Sequence, residues 1–244
     1  MSNSNELDDP RRRTLIMALA AGAFSAGMGS KQALAWGFFG SVPEKLPPTK
    51  SIYSLKGKVL VNGQEANMAT IIHPNDTVET GPQSELIFVV GGHSMIMREN
   101  TVLKLAGKEE EDSFLIQGLR MLTGKLLTVS RSQGTQIRTA TATIGIRGTG
   151  YYIESDPEKT YFCTCYGLTE VESKEDPASR DTVASKHHDK PLYILNGEPE
   201  GKNIRPAPFI NHTDHELMLI EALVGRTPPF VFAGDEYSAP RREY

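Results

Sequence analysis

The chain has 244 residues, 39% of them hydrophobic and 23% charged, with 22 glycines, 15 prolines and two cysteines. That apolar share is adequate for a core and no Gly-X-Y period is present, which argues against collagen-like and wholly disordered chains. A net charge of −4 argues against the basic footprint of a nucleic-acid binder, and two cysteines make at most one disulfide, so the fold does not rest on a disulfide framework.

The first ten residues are polar and acidic. Arg11, Arg12 and Arg13 then precede Thr14-Leu15-Ile16 and an Ala/Gly-rich stretch to about Gly29, which is the layout of a secretory leader. Gly22, Ser25, Gly27 and Gly29 leave it too short and too weakly apolar for a membrane span. Ala33-Leu34-Ala35 supplies the small-residue cleavage pattern, so residues 1–35 are expected to be removed by a cut after Ala35. Because Arg12 and Arg13 are followed by Thr14 and two aliphatic residues, the segment resembles a twin-arginine signal; a general leader and an uncleaved anchor are the alternatives. The resemblance implies the twin-arginine export machinery as a partner, a periplasmic location with no stable membrane span after cleavage, and a protein that folds before export, often around a cofactor.

Residues 36–52 are rich in Pro and Gly and read as a linker. From Tyr53 the pattern is of strands. Lys58 to Val61 runs into Asn62-Gly63 and Leu86 to Val90 into Gly91-Gly92, so both mark hairpins. Short runs follow at 101–105, 114–117, 125–129, 135–146, 151–154 and 161–166. Strands of this length between Gly, Asp and Pro clusters predict an all-β sandwich, roll or solenoid. Residues 173–190 are polar and read as a long loop, and a last strand at 192–195 ends at Asn196-Gly197. Thr213-Asp214-His215-Glu216 forms a capping box, and Leu217, Ile220, Leu223 and Val224 share one helical face before Gly225 and Pro228-Pro229 end it. One short C-terminal α-helix therefore packs on the β body, followed by a polar tail at 233–244.

The run Thr139-Ala140-Thr141-Ala142-Thr143-Ile144-Gly145-Ile146-Arg147-Gly148-Thr149 resembles the signature of the FecR domain, named after an iron-dicitrate sensor. Gly57-Lys58-Val59, the segment Pro74 to Gly81, the strand Ser84 to Val90 and Leu122-Thr123-Gly124-Lys125-Leu126 stand in the family's order. The resemblance covers residues 53–172 and leaves 173–232 as a C-terminal extension. It implies a FecR-like β-sandwich or β-solenoid body, a periplasmic binding, sensing or signalling role, a protein or cell-envelope partner, and no catalytic residues. Read on their own, Gly145, Gly148 and Gly150 interrupt a β-branched strand and predict a bulge. Arg147 can serve as a buried fork that organises loops, or recognise an anion or partner. In the sensors that gave the domain its name, a cytoplasmic anti-sigma segment and a membrane helix precede it; here a leader and linker stand in that place.

Cys163-Thr164-Cys165 lies in a strand by composition, and a period of two places both sulfurs on one face. With His187-His188-Asp189 and His212-x-x-His215 downstream, a Cys2His2 set for Zn or Cu can be drawn from Cys163, Cys165, His187, His188, His212 and His215, with an iron–sulfur centre less favoured. Asp189 is the candidate acceptor that orients an imidazole. A strained disulfide, redox chemistry or inert apolar packing are the other readings of the cysteines. His187 and His188 can both be ligands only if their loop is irregular. His212 and His215 flank a helix start, whose positive end disfavours a cation, so a capping or surface role is preferred for them. His73 and His93, beside turn signals, are expected at the surface. No haem-attachment motif, phosphate loop, nucleophile elbow or paired carboxylates stand out, and the acidic run Glu109 to Asp112 reads as a solvated loop. The leading expectation is an exported binding or sensing module, with a periplasmic redox or electron-transfer component and a cofactor-free envelope interaction protein as alternatives.

Overall fold

The computed structural model describes residues 43–110 and 113–230. Arg12, Arg13, Ala33 and Ala35 of the leader, residues 36–42 of the linker and the tail lie outside the described residues. The described chain is an all-β body carrying one short C-terminal helix, as its strand pattern predicts. No described helix is long and apolar enough to cross a membrane.

The strands are β1 (Ile52–Lys56), β2 (Val59–Val61), β3 (Gln64–Glu65), β4 (Thr77–Thr80), β5 (Glu85–Val90), β6 (His93–Met97) and β7 (Val102–Glu110). They continue with β8 (Ser113–Val129), β9 (Gln133–Arg138), β10 (Ala142–Ser155), β11 (Lys159–Ser173), β12 (Arg180–Ser185), β13 (Leu192–Leu195) and β14 (Ile204–Pro206), and end at helix α1 (Asp214–Leu223). Both expected two-residue turns are present. Val61 pairs with Gln64 across Asn62-Gly63, where both residues take positive φ, and Val90 pairs with His93 across Gly91-Gly92. Gly91 is required there, because a Cβ would fall 1.8 Å from the Phe114 carbonyl oxygen.

All the strands belong to one sheet, antiparallel except where β8 and β9 run parallel over Gly118–Arg120. Its long strands bend and change partner along their length. β8 pairs first with β7 and then with β6, β10 first with β9 and then with β8, and β11 first with β13 and then with β12. The expected bulge lies in β10, where the register slips between Arg147 and Gly150. Every strand from β1 to β13 except β3 sends a side chain into the larger core, so the sheet curls around it.

A second core lies on the other face of β5, β6, β8, β10 and β11. It contains Ile87, Ile96, Leu127, Val129, Tyr152, Tyr161, Cys163, Cys165 and Tyr166 beneath Leu217, Ile220 and Leu223 of α1. Strands buried on both faces have no polar alternation, which is why Met95-Ile96-Met97 and Tyr151-Tyr152-Ile153 read as unbroken apolar runs. Residues 173–190 are not the expected long loop: β12 lies within them, paired with Gly167–Glu172 of β11. Only Val183 and Ser185 of that strand are buried, so it carries little apolar signal.

Helix α1 begins as its capping box predicts. Glu216 N–H donates to Thr213 Oγ1 at 3.3 Å and Thr213 N–H to Glu216 Oε2 at 3.0 Å. Its carboxyl end is held by the Leu46 N–H, which donates to the Leu223 carbonyl at 2.9 Å. Glu221, fully buried, accepts from Arg226 Nε at 2.6 Å, Arg131 Nη2 at 3.0 Å and the Tyr166 hydroxyl. At the other end, Arg98 Nη2 donates to Glu216 at 3.0 Å and to the Asn211 carbonyl at 2.9 Å. These contacts fix the helix, and the segment that leads into it, over the cysteine face of β11.

Candidate metal centre

Cys163 and Cys165 alternate along β11 with Phe162, which points into the larger core, so both sulfurs leave the sheet on the face of the smaller one. Both thiols are free and wholly buried. The turn after β12 brings His188 to them. Its N–H donates to the Cys165 carbonyl at 2.9 Å, and its φ of 54° lies in the left-handed region. That is the irregularity an adjacent histidine pair requires, and it lets both His187 and His188 reach one carboxylate.

The carboxylate is Asp214, not Asp189. Asp214, the first residue of α1, accepts from His188 Nε2 through Oδ1 at 2.9 Å and from His187 Nε2 through Oδ2 at 2.8 Å. Asp189 instead closes the turn, accepting from the Lys186 N–H at 2.7 Å and the His187 N–H at 3.4 Å. Those backbone donors hold its carboxyl below the usual range.

His212 precedes the cap of α1 and is 1% exposed, against the expected surface or capping role. Its ring stacks on Tyr152 with centroids 4.5 Å apart and leans on Phe209 at 4.4 Å. The Ile210 carbonyl lies 2.7 Å from Nδ1 and can only accept, so Nδ1 carries a proton and Nε2 faces the cysteines. His188 is set the other way, with Nε2–H committed to Asp214 and Nδ1 turned inward. The two inner nitrogens stand 3.1 Å apart, and Cys163 Sγ lies 3.5 Å from His188 Nδ1.

The donor atoms of Cys163, Cys165, His188 and His212 all lie within 4.8 Å of one another. A single tetrahedral ion, with bonds of about 2.3 Å to sulfur and 2.0–2.1 Å to nitrogen, sets S···N edges of roughly 3.6 Å and N···N edges of roughly 3.3 Å. The two measured edges, 3.5 and 3.1 Å, have that scale. Both imidazoles also have the outer-nitrogen partner that metal-bound histidines typically have, a carboxylate for one and a carbonyl for the other. His187 contacts the same carboxylate but is half-exposed and outside the four. His215 lies exposed on the first turn of α1 and also stands outside the converging set.

Burial alone raises a thiol pKa. For Cys163 that is outweighed by hydrogen bonds from the Cys165 thiol, His188 and His212, which pull it well below the ordinary thiol value. Cys165, desolvated and beside the Cys163 charge, is pushed well above it. Burial lowers the pKa of His188, but the hydrogen bond to Asp214 and the neighbouring Cys163 sulfur prevail and raise it to about 8. The two shifts act together and favour the same pair, a Cys163 thiolate beside a protonated His188.

The signature residues lie elsewhere. Gly145 is in β10; Gly148 takes a φ of 67° within the bulge, and Thr149 is buried. Arg147 is exposed, not a buried fork, and donates to Glu170 across the strand pair at 2.7 Å. Asp214 was open to a sequence reading only as an acid of the helix's first turn. The cue was the spacing His212-Thr213-Asp214, which puts a carboxylate beside a histidine at the cap.

No family profile and no curated protein matches the sequence. Two crystal structures of a candidate anti-sigma factor from Parabacteroides distasonis align with it at 17% and 16% identity, with TM-scores of 0.42 and 0.41. Each alignment covers 54% of this chain, and the chain spans 58% of the length of either structure.

Proposed function

We propose that the chain is an exported, FecR-like β module of the periplasm that binds one transition-metal ion through Cys163, Cys165, His188 and His212, and that serves as a binding or sensing element for a protein or cell-envelope partner. The observation that carries this reading is the apposition of two inward-facing imidazole nitrogens and two buried sulfurs, with both outer nitrogens already committed as donors. A set of two thiolates and two imidazoles suits Zn²⁺ or Cu⁺, and four protein donors leave no open position for a substrate. A bound ion would supply a cross-link between β11, the turn after β12 and the segment before α1. Export by the twin-arginine route is supported by Arg12-Arg13-Thr14 and by a centre made from three separate segments, which only a folded chain can present.

Elemental analysis of protein purified from the periplasm tests the metal. About one zinc or copper per chain is expected, falling to background in Cys163→Ser and His212→Gln; a wild-type content below about 0.1 per chain overturns the reading. Replacing Arg12 and Arg13 by lysine tests the route, with the uncleaved chain expected to remain in the cytoplasm. The proximity of the two free thiols favours a second reading, a redox component that cycles between the dithiol and a Cys163–Cys165 disulfide. It predicts metal-free protein whose two thiols are lost together on mild oxidation.

A further inference from the structure

The four inner donors are shielded from solvent: both cysteines are wholly buried, His212 is 1% exposed, and the His188 side chain 8%. A hydrated ion cannot reach them directly. One neighbouring imidazole does face water. His187, with half its side chain exposed, stands 2.8 Å from one oxygen of Asp214, whose other oxygen is 2.9 Å from His188. The donor atoms of His187, His188 and Asp214 also fall within 4.8 Å of one another. His188 thus belongs to two clusters, its Nε2 to the outer one and its Nδ1 to the inner one.

We infer that His187 and Asp214, with the outer nitrogen of His188, form a surface loading site that takes a divalent transition-metal ion from solvent and passes it to the closed centre. The inference rests on the metal-binding reading above. Two imidazoles and a carboxylate suit a borderline divalent ion such as Zn²⁺, and three ligands leave room for the waters it still carries. The two sites are separated by the width of the His188 ring, so one side chain can serve both. The transfer changes no oxidation state. The ion keeps its charge and its remaining waters go to solvent. As it enters the outer site it displaces the His188 Nε2 proton to solvent and leaves Nδ1 protonated. As it moves inward the Nδ1 proton leaves, Nε2 takes one up again against Asp214, and the thiol protons are released as the thiolate bonds form. The Phe230 ring, 4.9 Å from that of His187, walls the outer site on one side.

The full chain, stripped of metal with a chelator under reducing conditions, tests this with Co²⁺, because cobalt–thiolate absorption reports arrival at the cysteines. Wild type, His187→Gln and His187→Ala are compared, with His73→Gln as a control at another half-exposed histidine that pairs with Glu109. Loading at limiting Co²⁺ and removal by chelator are both expected to slow about ten-fold in the His187 variants, with final absorbance and affinity unchanged. Unchanged rates overturn the loading site. So does a loss of affinity at an unchanged loading rate, which would make His187 a support for the centre only. If wild type develops no cobalt–thiolate absorption, the metal reading itself fails and the loading site fails with it.

Discussion

His93 opens β6 with its ring wholly buried, and among the described residues neither ring nitrogen has a hydrogen-bond partner. Burial, aided by the charge of Arg226, pushes its pKa down to about 4 from 6.5. Above pH 6.5 the folded and unfolded chains both carry it neutral. Between 6.5 and about 4 only the unfolded chain takes up the proton, so stability is intact above 6.5 and is lost as pH falls through that window, by up to about 3 kcal/mol. Urea unfolding at pH 7 and pH 4.5 measures this, and His93→Leu should remove most of the difference; an equal acid loss in the variant would count against it. Gly150 is a second sensitive position, because a Cβ there would lie 2.5 Å from the Tyr166 ring. Gly150→Ala should cost about 1–3 kcal/mol in the same assay, since that ring also donates to Glu221 and has little freedom to retreat. The sequence reading put His93 at the surface because it follows Gly91-Gly92. The turn is as short as those glycines allow, however, and the strand takes His93 as its first buried residue.

At the scale of elements, α1 depends on its ends and on one buried carboxylate. Thr213→Ala removes the acceptor for the Glu216 N–H and should lower stability by about 1 kcal/mol. Glu221→Ala leaves Arg131, Arg226 and Tyr166 without their shared acceptor and should cost about 3 kcal/mol, with faster amide exchange in α1 than in β10. Equal exchange in the two elements would show that the carboxylate does not hold the helix. The capping box and the two-residue turns were legible because their signals lie within four residues. β12 was not, because an edge strand with one face in water and only Val183 and Ser185 buried has the composition of a loop. The cysteines were legible as a same-face pair from the period of two. His212 was misjudged from the helix field, which acts on a charge. What places His212 is its packing on the Tyr152 and Phe209 rings and the Ile210 carbonyl at 2.7 Å from Nδ1, contacts that an argument from the helix end does not weigh.

At the scale of the molecule, the proposed ion joins three segments that only the tertiary fold brings together, and for that reason the spacing of the histidines did not reveal which two would converge. Removing it should loosen the protein selectively. At a metal concentration 1,000 times Kd, binding adds about 4 kcal/mol, so chelation should lower Tm and speed amide exchange in residues 186–189 and 207–224 more than in β8. A uniform change across the chain would mean that the ion does not act as this cross-link.

The bond from the Leu46 N–H to the Leu223 carbonyl joins the first described residues to the last helix. Synthesis must therefore have passed residue 223 before this contact can close. Residues 163, 165 and 188 emerge earlier, but residue 212 has no fixed place until α1 docks. Folding here is governed by late, long-range closure and should be slow for the size of the protein. A chain cut short before α1 would display its cysteines without completing their site, so a loaded centre would mark a molecule synthesised through α1.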